Sequence, residues 1–466
     1  MTAISRRSFL RTTAIGGAGL VLAFHVPLKV ARAAPGPQPK APPPPPNAFL
    51  RIAPDDTVTV LLSHSEMGQG IWTTVAMLVA EELDCDWTKV RVEHAPAAPV
   101  YAHTVFGMQM TGGSSSTWSE FERYRTVGAT ARDMLVRAAA ERWKSEPGRL
   151  RVENGHVLRG SEKLSYGALA EAAAKLEPAP SVKLKEPKDW KLIGKPTRRL
   201  DAPEKVNGKA QFGIDVKVPG QRTALVVRAP AFGGKVKAFD AAKAKAMRGV
   251  EQVVQVPSGV AVVAKDFWSA QQARDALEVS WDLGPGAEVD SQKMLASYRE
   301  LATKPGAVAL AKGDADAALQ KAPRRLIAEY DVPYLAHAPM EPLNCTVRVD
   351  GEGCEIWTGT QFQTGDQAAA ARILGIAPEK VRIHTTFLGG GFGRRANPNS
   401  DFVSEAVHVA KAAGVPVKVV WTREDDMRGG YYRPMFLHRI EAGVDAKGLP
   451  VAWRHTLVGQ SILAGT

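Results

Sequence analysis

Cysteine is scarce: Cys85, Cys345 and Cys354 are the three in 466 residues, and no two of them share a CxxC spacing. Three thiols neither staple a disulfide framework nor supply the four thiolates an iron–sulfur cluster normally takes. No iron–sulfur relay is therefore expected on these 466 residues. Membrane-spanning runs are missing too. The apolar stretch Ala14–Val26 has thirteen residues broken by three glycines and His25, short of the ~20 that cross a bilayer. A hydrophobic fraction of 45% beside 23% charged residues excludes both wholesale disorder and a polytopic membrane protein. At ~100–200 residues per domain, the length allows two to four domains, each able to bury a core.

Concentrated positive charge is also lacking. The formal charge is +12, but five of the bases (Arg6, Arg7, Arg11, Lys29 and Arg32) fall in an acid-free leader, and without them it is +7. The remainder is dispersed, with no run of five or six bases and no basic stripe interleaved with aromatics, so no nucleic-acid partner is expected.

That leader reads as an address. Ser5-Arg6-Arg7-Ser8-Phe9-Leu10-Arg11, the apolar stretch and Ala31-Arg32-Ala33 form a basic n-region, a short h-region and a small-x-small cleavage site. Residues 1–34 are thus expected to be a twin-arginine signal peptide. That route carries folded, often cofactor-loaded proteins, so a periplasmic location is expected. Residues 35–47 follow as a spacer, with eight prolines in Pro35–Pro46 favouring polyproline II.

From residue 48 the hydrophobic pattern alternates between strand and helix periods. Strands are expected at Thr57–Ser63 and Lys89–His94, and helices at Trp72–Leu83 and Trp118–Trp143. The loops Met67–Gly70 and Thr111–Thr117 precede those helices, where free N–H groups favour anions. Taken alone, each loop is more often a capped helix start than a ligand site. Residues 181–204 read as a linker. A compact αβ unit over 205–285 follows, with a helix expected at Ala238–Met247 and another at Phe267–Ala276. In the last segment, 286–466, a strand Lys380–Thr385 runs into Leu388-Gly389-Gly390-Gly391-Phe392-Gly393, with a helix expected at Ser400–Ala413. The glycine cluster permits close backbone approach to a ligand, and a tight structural turn explains it equally well. It is no dinucleotide fingerprint, since Arg394 stands where G-x-G-x-x-G needs glycine.

Taken together, Glu66–Gly70, Thr111–Thr117, the 205–281 unit, Pro339–Cys345, Gln361 and Leu388–Gly393 resemble the molybdopterin-binding large subunit of the xanthine oxidase and aldehyde oxidoreductase family. The subgroup most similar is that of the isoquinoline 1-oxidoreductase large subunit, in which the Gly-Gln-Gly block precedes the hammerhead domain. The resemblance implies an α+β, multidomain fold, with an α/β hammerhead domain at 205–285 between cofactor-binding segments 48–180 and 286–466. It implies molybdopterin cytosine dinucleotide with molybdenum as cofactor, held by the pterin dithiolene, so no protein metal ligands are expected. Gln361 would hydrogen-bond an oxygen ligand of the molybdenum, and the backbone at Gly390, Gly391, Phe392 and Gly393 would approach metal ligands and substrate. Gly68, Gln69, Gly70, Gly113, Ser114 and Ser116 would embrace the pterin and the phosphates. The implied reaction is hydroxylation of an aldehyde or N-heteroaromatic with water as oxygen source. Electrons would pass to a small subunit with [2Fe-2S] clusters, and on to a cytochrome c or another acceptor.

Two departures bear on that expectation. Xanthine-oxidising members place a substrate-binding glutamate just after the glycine loop; here Arg394-Arg395-Ala396 offers alanine, which favours aldehydes and simple N-heteroaromatics. Arg394 and Arg395 would either meet acidic groups of cofactor or substrate, or sit ion-paired on the surface. Family members also run well past this chain's length, and their catalytic glutamate lies near their C-terminus. The expectation is a truncated product or half of a split enzyme, with Glu341 and Glu405 disfavoured as the base; a non-catalytic remnant is the alternative. A hydrolase using Ser63, His64, Ser65 or Ser114–Ser116 lacks the G-x-S-x-G elbow. Tyr101, His103, Phe106, Tyr431, Tyr432 and His438 would line a substrate funnel or simply pack.

Overall fold

A computed structural model describes residues 49–461 and, before them, the backbone of a short strand at Leu20–Leu22. Otherwise the signal peptide and proline spacer expected over 1–47 lie outside the described residues. The chain folds as two compact units, one formed by residues up to Val218 with Cys345–Ser404, the other by Pro219–Asn344 with the residues from Glu405 on.

In the first unit, strands β1 (Leu50–Ile52), β2 (Val58–Leu62) and β3 (Val90–His94) form a sheet. β1 and β2 are antiparallel, β2 and β3 parallel, and the Leu20–Leu22 backbone runs antiparallel along β1. Alternate residues of β2 are buried, as a half-buried strand requires. Helix α1 (Ile71–Leu83) crosses over between β2 and β3, and the 28-residue α2 (Ser116–Trp143) packs against it. Gly128 of α2 permits that approach, because a Cβ there would stand 2.5 Å from the Val79 carbonyl oxygen. Arg125 and Arg132 of α2 close on the buried Glu82 of α1. Val60, Val75, Leu83 and Leu135 are fully buried in this core, each worth about 1.5–3 kcal/mol relative to exposure. A small antiparallel sheet, Arg151–Glu153, His156–Arg159 and Glu162–Ser165, follows α2. Later in the chain, Asn344–Val349 pairs antiparallel with Cys354–Thr358, which runs parallel to Val381–Thr385.

The second unit has a sheet in the order Val250–Val256, Gly259–Ala264, Arg222–Arg228, Val417–Val420, flanked by a helix at Phe267–Asp275. The helix expected at Ala238–Met247 shortens to a single turn, its first residues being taken by a strand. Lys235–Asp240 is a strand, paired with Glu278–Asp282, and one helical turn, Ala242–Lys245, follows. Ala and Lys favour helix locally, but cross-strand pairing outweighs that preference. A second sheet orders β4 (Arg324–Val332), β5 (Phe436–Val444) and β6 (Pro450–Gly459), all antiparallel. Helices α3 (Ser291–Leu301) and α4 (Ala315–Lys321) pack on one of its faces.

No helix among the described residues is long and apolar enough to cross a membrane.

Candidate functional site

The first unit brings together three loops that are distant in sequence. Gln361, 1% exposed, joins two of them directly. Its Nε2 donates to the Thr111 carbonyl at 2.9 Å, and its Oε1 accepts from the Gly393 N–H at 3.1 Å. Its backbone is tied as well: Thr111 N–H donates to the Gln361 carbonyl at 2.8 Å, and Gln361 N–H to the Arg395 carbonyl at 3.0 Å. The third loop is attached where Leu388 N–H donates to the Glu66 carbonyl at 3.1 Å and Ser65 N–H to Thr111 Oγ1 at 2.8 Å. Gly391 lies against this junction. A Cβ there would fall 2.5 Å from Gln361 Oε1 and 2.8 Å from Met67 Sδ, so any larger residue must displace one of these side chains.

Each loop has its own fastening. In the Gly-Gln-Gly loop, Gly68 and Gly70 have φ of +107° and +93°, a region glycine enters without strain. The buried Glu66 carboxylate accepts from the N–H groups of Gly68, Gly70 and Trp72 at 2.8, 3.4 and 3.0 Å, so it occupies the anion position at the start of α1. Arg199, Lys205 and Asp201 complete an ion-pair network behind it. Burial acts to raise the Glu66 pKa, but the Trp72 N–H, the Lys205 charge and the Gly68 N–H hold it below its ordinary value. Burial likewise opposes ionisation of Asp201, and Arg199 and Lys205 overcome it, lowering its pKa to about 2. The Gln69 side chain folds back on the loop, donating to the Ser65 carbonyl and accepting from Met67 N–H.

The Thr111–Thr117 loop differs. It leads into α2 through Ser115, whose side chain does not cap the helix. Ser115 Oγ donates to the Gly112 carbonyl at 2.6 Å and meets His103 Nε2 at 2.8 Å. His103 Nδ1 accepts from the N–H groups of Val105 and Phe106, which leaves the proton on Nε2 pointing at Ser115. The opening N–H groups of α2 thus have no side-chain cap, the arrangement that suits a phosphate. Gly113 and Ser114 adopt φ of +65° and +52° there. The same bonds argue against a hydrolase, because the histidine donates to the serine and takes no proton from it. His64, fully enclosed, has its pKa depressed to about 3 by burial, which makes it a poor base beside Ser63.

In the glycine loop, Gly390, Phe392 and Gly393 have positive φ, and Phe392 is 72% exposed. The helix expected at Ser400–Ala413 is found at Asp401–Ala413. Arg394 and Arg395 are buried, contrary to a surface role. Arg394 makes a bidentate pair with Asp401, and Arg395 donates to the carbonyls of Gly390 and Gly359. They are clamps on the loop that sequence reasoning missed; two adjacent arginines read as surface unless the carbonyls they gather are known.

Other candidates are placed elsewhere. Tyr101 is core, edge-on to Phe49 at 5.2 Å, while Phe106 stacks on His103. Tyr431, Tyr432 and His438 belong to the second unit. So do Glu341, bonded to Asn344, and Glu405, held by Arg228 and the Trp421 indole. All three cysteines are buried thiols, and burial raises the pKa of Cys85 and Cys354 to about 12. No metal-holding cluster of His, Cys, Asp and Glu occurs among the described residues.

Two domain families, each described as a molybdopterin cofactor-binding domain, match residues 13–216 and 301–461. The chain is 34% identical to the isoquinoline 1-oxidoreductase subunit beta of Brevundimonas diminuta, over 90% of this chain and 60% of that protein. It is 32% identical to a membrane-bound aldehyde dehydrogenase [pyrroloquinoline-quinone] of Gluconacetobacter polyoxogenes, over 95% of this chain and 59% of that protein. The chain thus spans about three-fifths of the length of these relatives. Among solved structures, quinoline 2-oxidoreductase of Pseudomonas putida 86 aligns with a TM-score of 0.46 and 18% identity, covering 57% of this chain and 39% of that one.

Proposed function

Because the chain belongs to the molybdopterin-binding large subunits of the xanthine oxidase and aldehyde oxidoreductase family, we propose that it works as the large subunit of a molybdenum hydroxylase. Its substrate is an aldehyde or an N-heteroaromatic. The cofactor, proposed in its cytosine dinucleotide form, supplies when bound a two-electron oxidation that takes oxygen from water.

The observation that carries this reading is the junction at Gln361. One buried amide fixes both the Thr111–Thr117 and the glycine loops, and Gly391 leaves no side chain between them. The residues present fit a large anionic cofactor. The uncapped start of α2, with Gly113, Ser114 and Ser116, would take a phosphate; the backbone at Gly390–Gly393 would lie along the pterin and substrate. Gly68, Gln69 and Gly70 shape the facing loop, with Glu66 fixing its curvature. Gln361 is an uncharged amide, suited to orienting a ligand without adding charge.

Buried thiols leave electron transfer to a partner carrying [2Fe-2S] clusters, with a cytochrome c or similar acceptor beyond it. The twin-arginine leader supports folded export to the periplasm. A second reading, cofactor binding without turnover by this chain alone, is supported by the engagement of Glu341 and Glu405 with Asn344, Arg228 and Trp421.

The test is turnover by the enzyme isolated with its partner subunits, using isoquinoline and benzaldehyde in ¹⁸O-labelled water. Label in the product and loss of turnover on molybdenum starvation support the proposal; label-free product or metal-independent turnover contradicts it.

A further inference from the structure

Residues 183–200 contain a single turn of helix, Pro187–Asp189, yet they are bound at both ends of α1. Two buried carboxylates in the last turn of α1 gather the near end. Glu81 Oε2 accepts from the N–H groups of Lys191, Leu192 and Ile193 at 2.8, 2.6 and 3.2 Å, and its Oε1 from Lys185 Nζ at 3.2 Å. Glu82 accepts from the Lys185 N–H at 3.0 Å, while Arg125 and Arg132 of α2 donate to the carbonyls of Lys185 and Lys183. At the other end, Leu200 N–H donates to Thr73 Oγ1 in the first turn of α1 at 3.0 Å. Arg199 reaches the Gly68 carbonyl at 2.9 Å and the Glu66 carboxylate at 2.8 Å. The segment is therefore a strap that runs back along α1, with Leu192, Ile193 and Leu200 packed on the core.

We infer that this strap sets the Gly-Gln-Gly loop, and that Glu81 is a positioning residue for cofactor retention. Burying a carboxylate is costly unless hydrogen bonds replace its water. The strap's own N–H groups supply that replacement on Glu81, so the anchor holds the strap in one register. Eight residues of helix, about 12 Å, separate Glu81 from Thr73. Across that distance the strap delivers Arg199, which binds a carbonyl of the loop while Glu66 binds its N–H groups. With the strap undocked, the Gly68 carbonyl and Glu66 both lose the Arg199 guanidinium, and the loop loses its outside support. The inference rests on the proposed cofactor reading of that loop. By reciprocity, whatever strap docking adds to cofactor affinity, bound cofactor adds to strap docking.

The test is hydrogen exchange by mass spectrometry on the full chain, beside its molybdenum and nucleotide content. In Glu81→Gln, exchange in residues 186–198 should quicken at least about tenfold, because the charge that holds three N–H groups is gone. Exchange in residues 68–72 should quicken with it, though no atom there is altered, and cofactor content should fall at least about fivefold. Exchange in the core of α2, residues 127–140, should stay at the parent's rate. Lys185→Ala releases the same anchor from the strap side and should reproduce the pattern. Lys185→Arg, which keeps the charge, should hold the parent's values. A loosened strap beside an unaltered loop, loosening of α2 to the same degree, or undiminished cofactor content overturns the inference. A parent chain without molybdenum contradicts the proposed function and the retention claim together, whereas absent coupling in a loaded parent contradicts the strap's role alone.

Discussion

The Gly393 N–H donates to Gln361 Oε1 at 3.1 Å across 32 residues, while Nε2 of the same amide reaches the Thr111 carbonyl 250 residues away. A single side chain therefore bridges two loops proposed to hold the cofactor, beside the backbone bonds that Gln361 makes to Thr111 and Arg395. Gln361→Ala leaves a buried carbonyl and a loop N–H without their partner, each costing about 1–3 kcal/mol. The variant should melt earlier and purify with less molybdenum than the parent. Unchanged melting would show that the amide is not a structural tie.

Gly391→Ala addresses the same junction by crowding. Its Cβ would meet Gln361 Oε1 at 2.5 Å and Met67 Sδ at 2.8 Å, and overpacking of this kind costs about 1–3 kcal/mol. The double variant Gly391→Ala with Met67→Ala should recover part of that loss in urea denaturation, because the sulfur contact is removed. No recovery would mean that the Gln361 contact dominates.

The Glu66–Asp201–Arg199–Lys205 network gives a signed pH dependence. Asp201 titrates at about 2 in the folded chain instead of 3.8, and Glu66 also lies below its ordinary value. Groups so lowered add stability at pH above their unfolded pKa, and this stability is lost as pH falls through the folded value. Melting temperature should therefore drop as pH falls from about 4 toward 2. Asp201→Asn should be less stable than the parent at pH 6 and should show a shallower acid loss. Parallel curves for the two proteins would contradict the network's role.

Asp366 predicts the opposite slope. Burial raises its pKa from 3.8 to about 7, although Thr360 Oγ1 donates to it. The folded state then holds a proton that the unfolded state releases, so stability contributed by this group falls as pH rises from 4 to 7. Asp366→Asn should gain on the parent between pH 5 and pH 8, read as a melting-temperature difference that grows with pH. A constant difference would remove Asp366 from the account.

The fold was legible where local pattern and burial agree. The alternation in Val58–Leu62 and Val90–His94 and the apolar face of Ile71–Leu83 mark their elements within a residue or two. Lys235–Asp240 was hidden because its Lys and Ala favour helix, and its strand identity comes from Glu278–Asp282 across the pair. The sheet at 151–165 was missed because its strands are short and largely exposed. The loops of the site were legible as motifs, since glycine clusters announce unusual backbone. Their fastening was not. Arg395 gathering two carbonyls, Glu66 filling the start of α1, and His103 turning Ser115 away from α2 are all contacts made by folding.

The most direct measurement of the central claim is metal and nucleotide content of the purified full chain, expressed in a host that makes the cofactor. Molybdenum by mass spectrometry and the nucleotide released by acid hydrolysis should each approach one per chain, with cytidine monophosphate as the nucleotide. Both should fall together in Gln361→Ala. A folded chain that carries neither molybdenum nor nucleotide, or a Gln361→Ala variant that keeps both in full, would contradict the account.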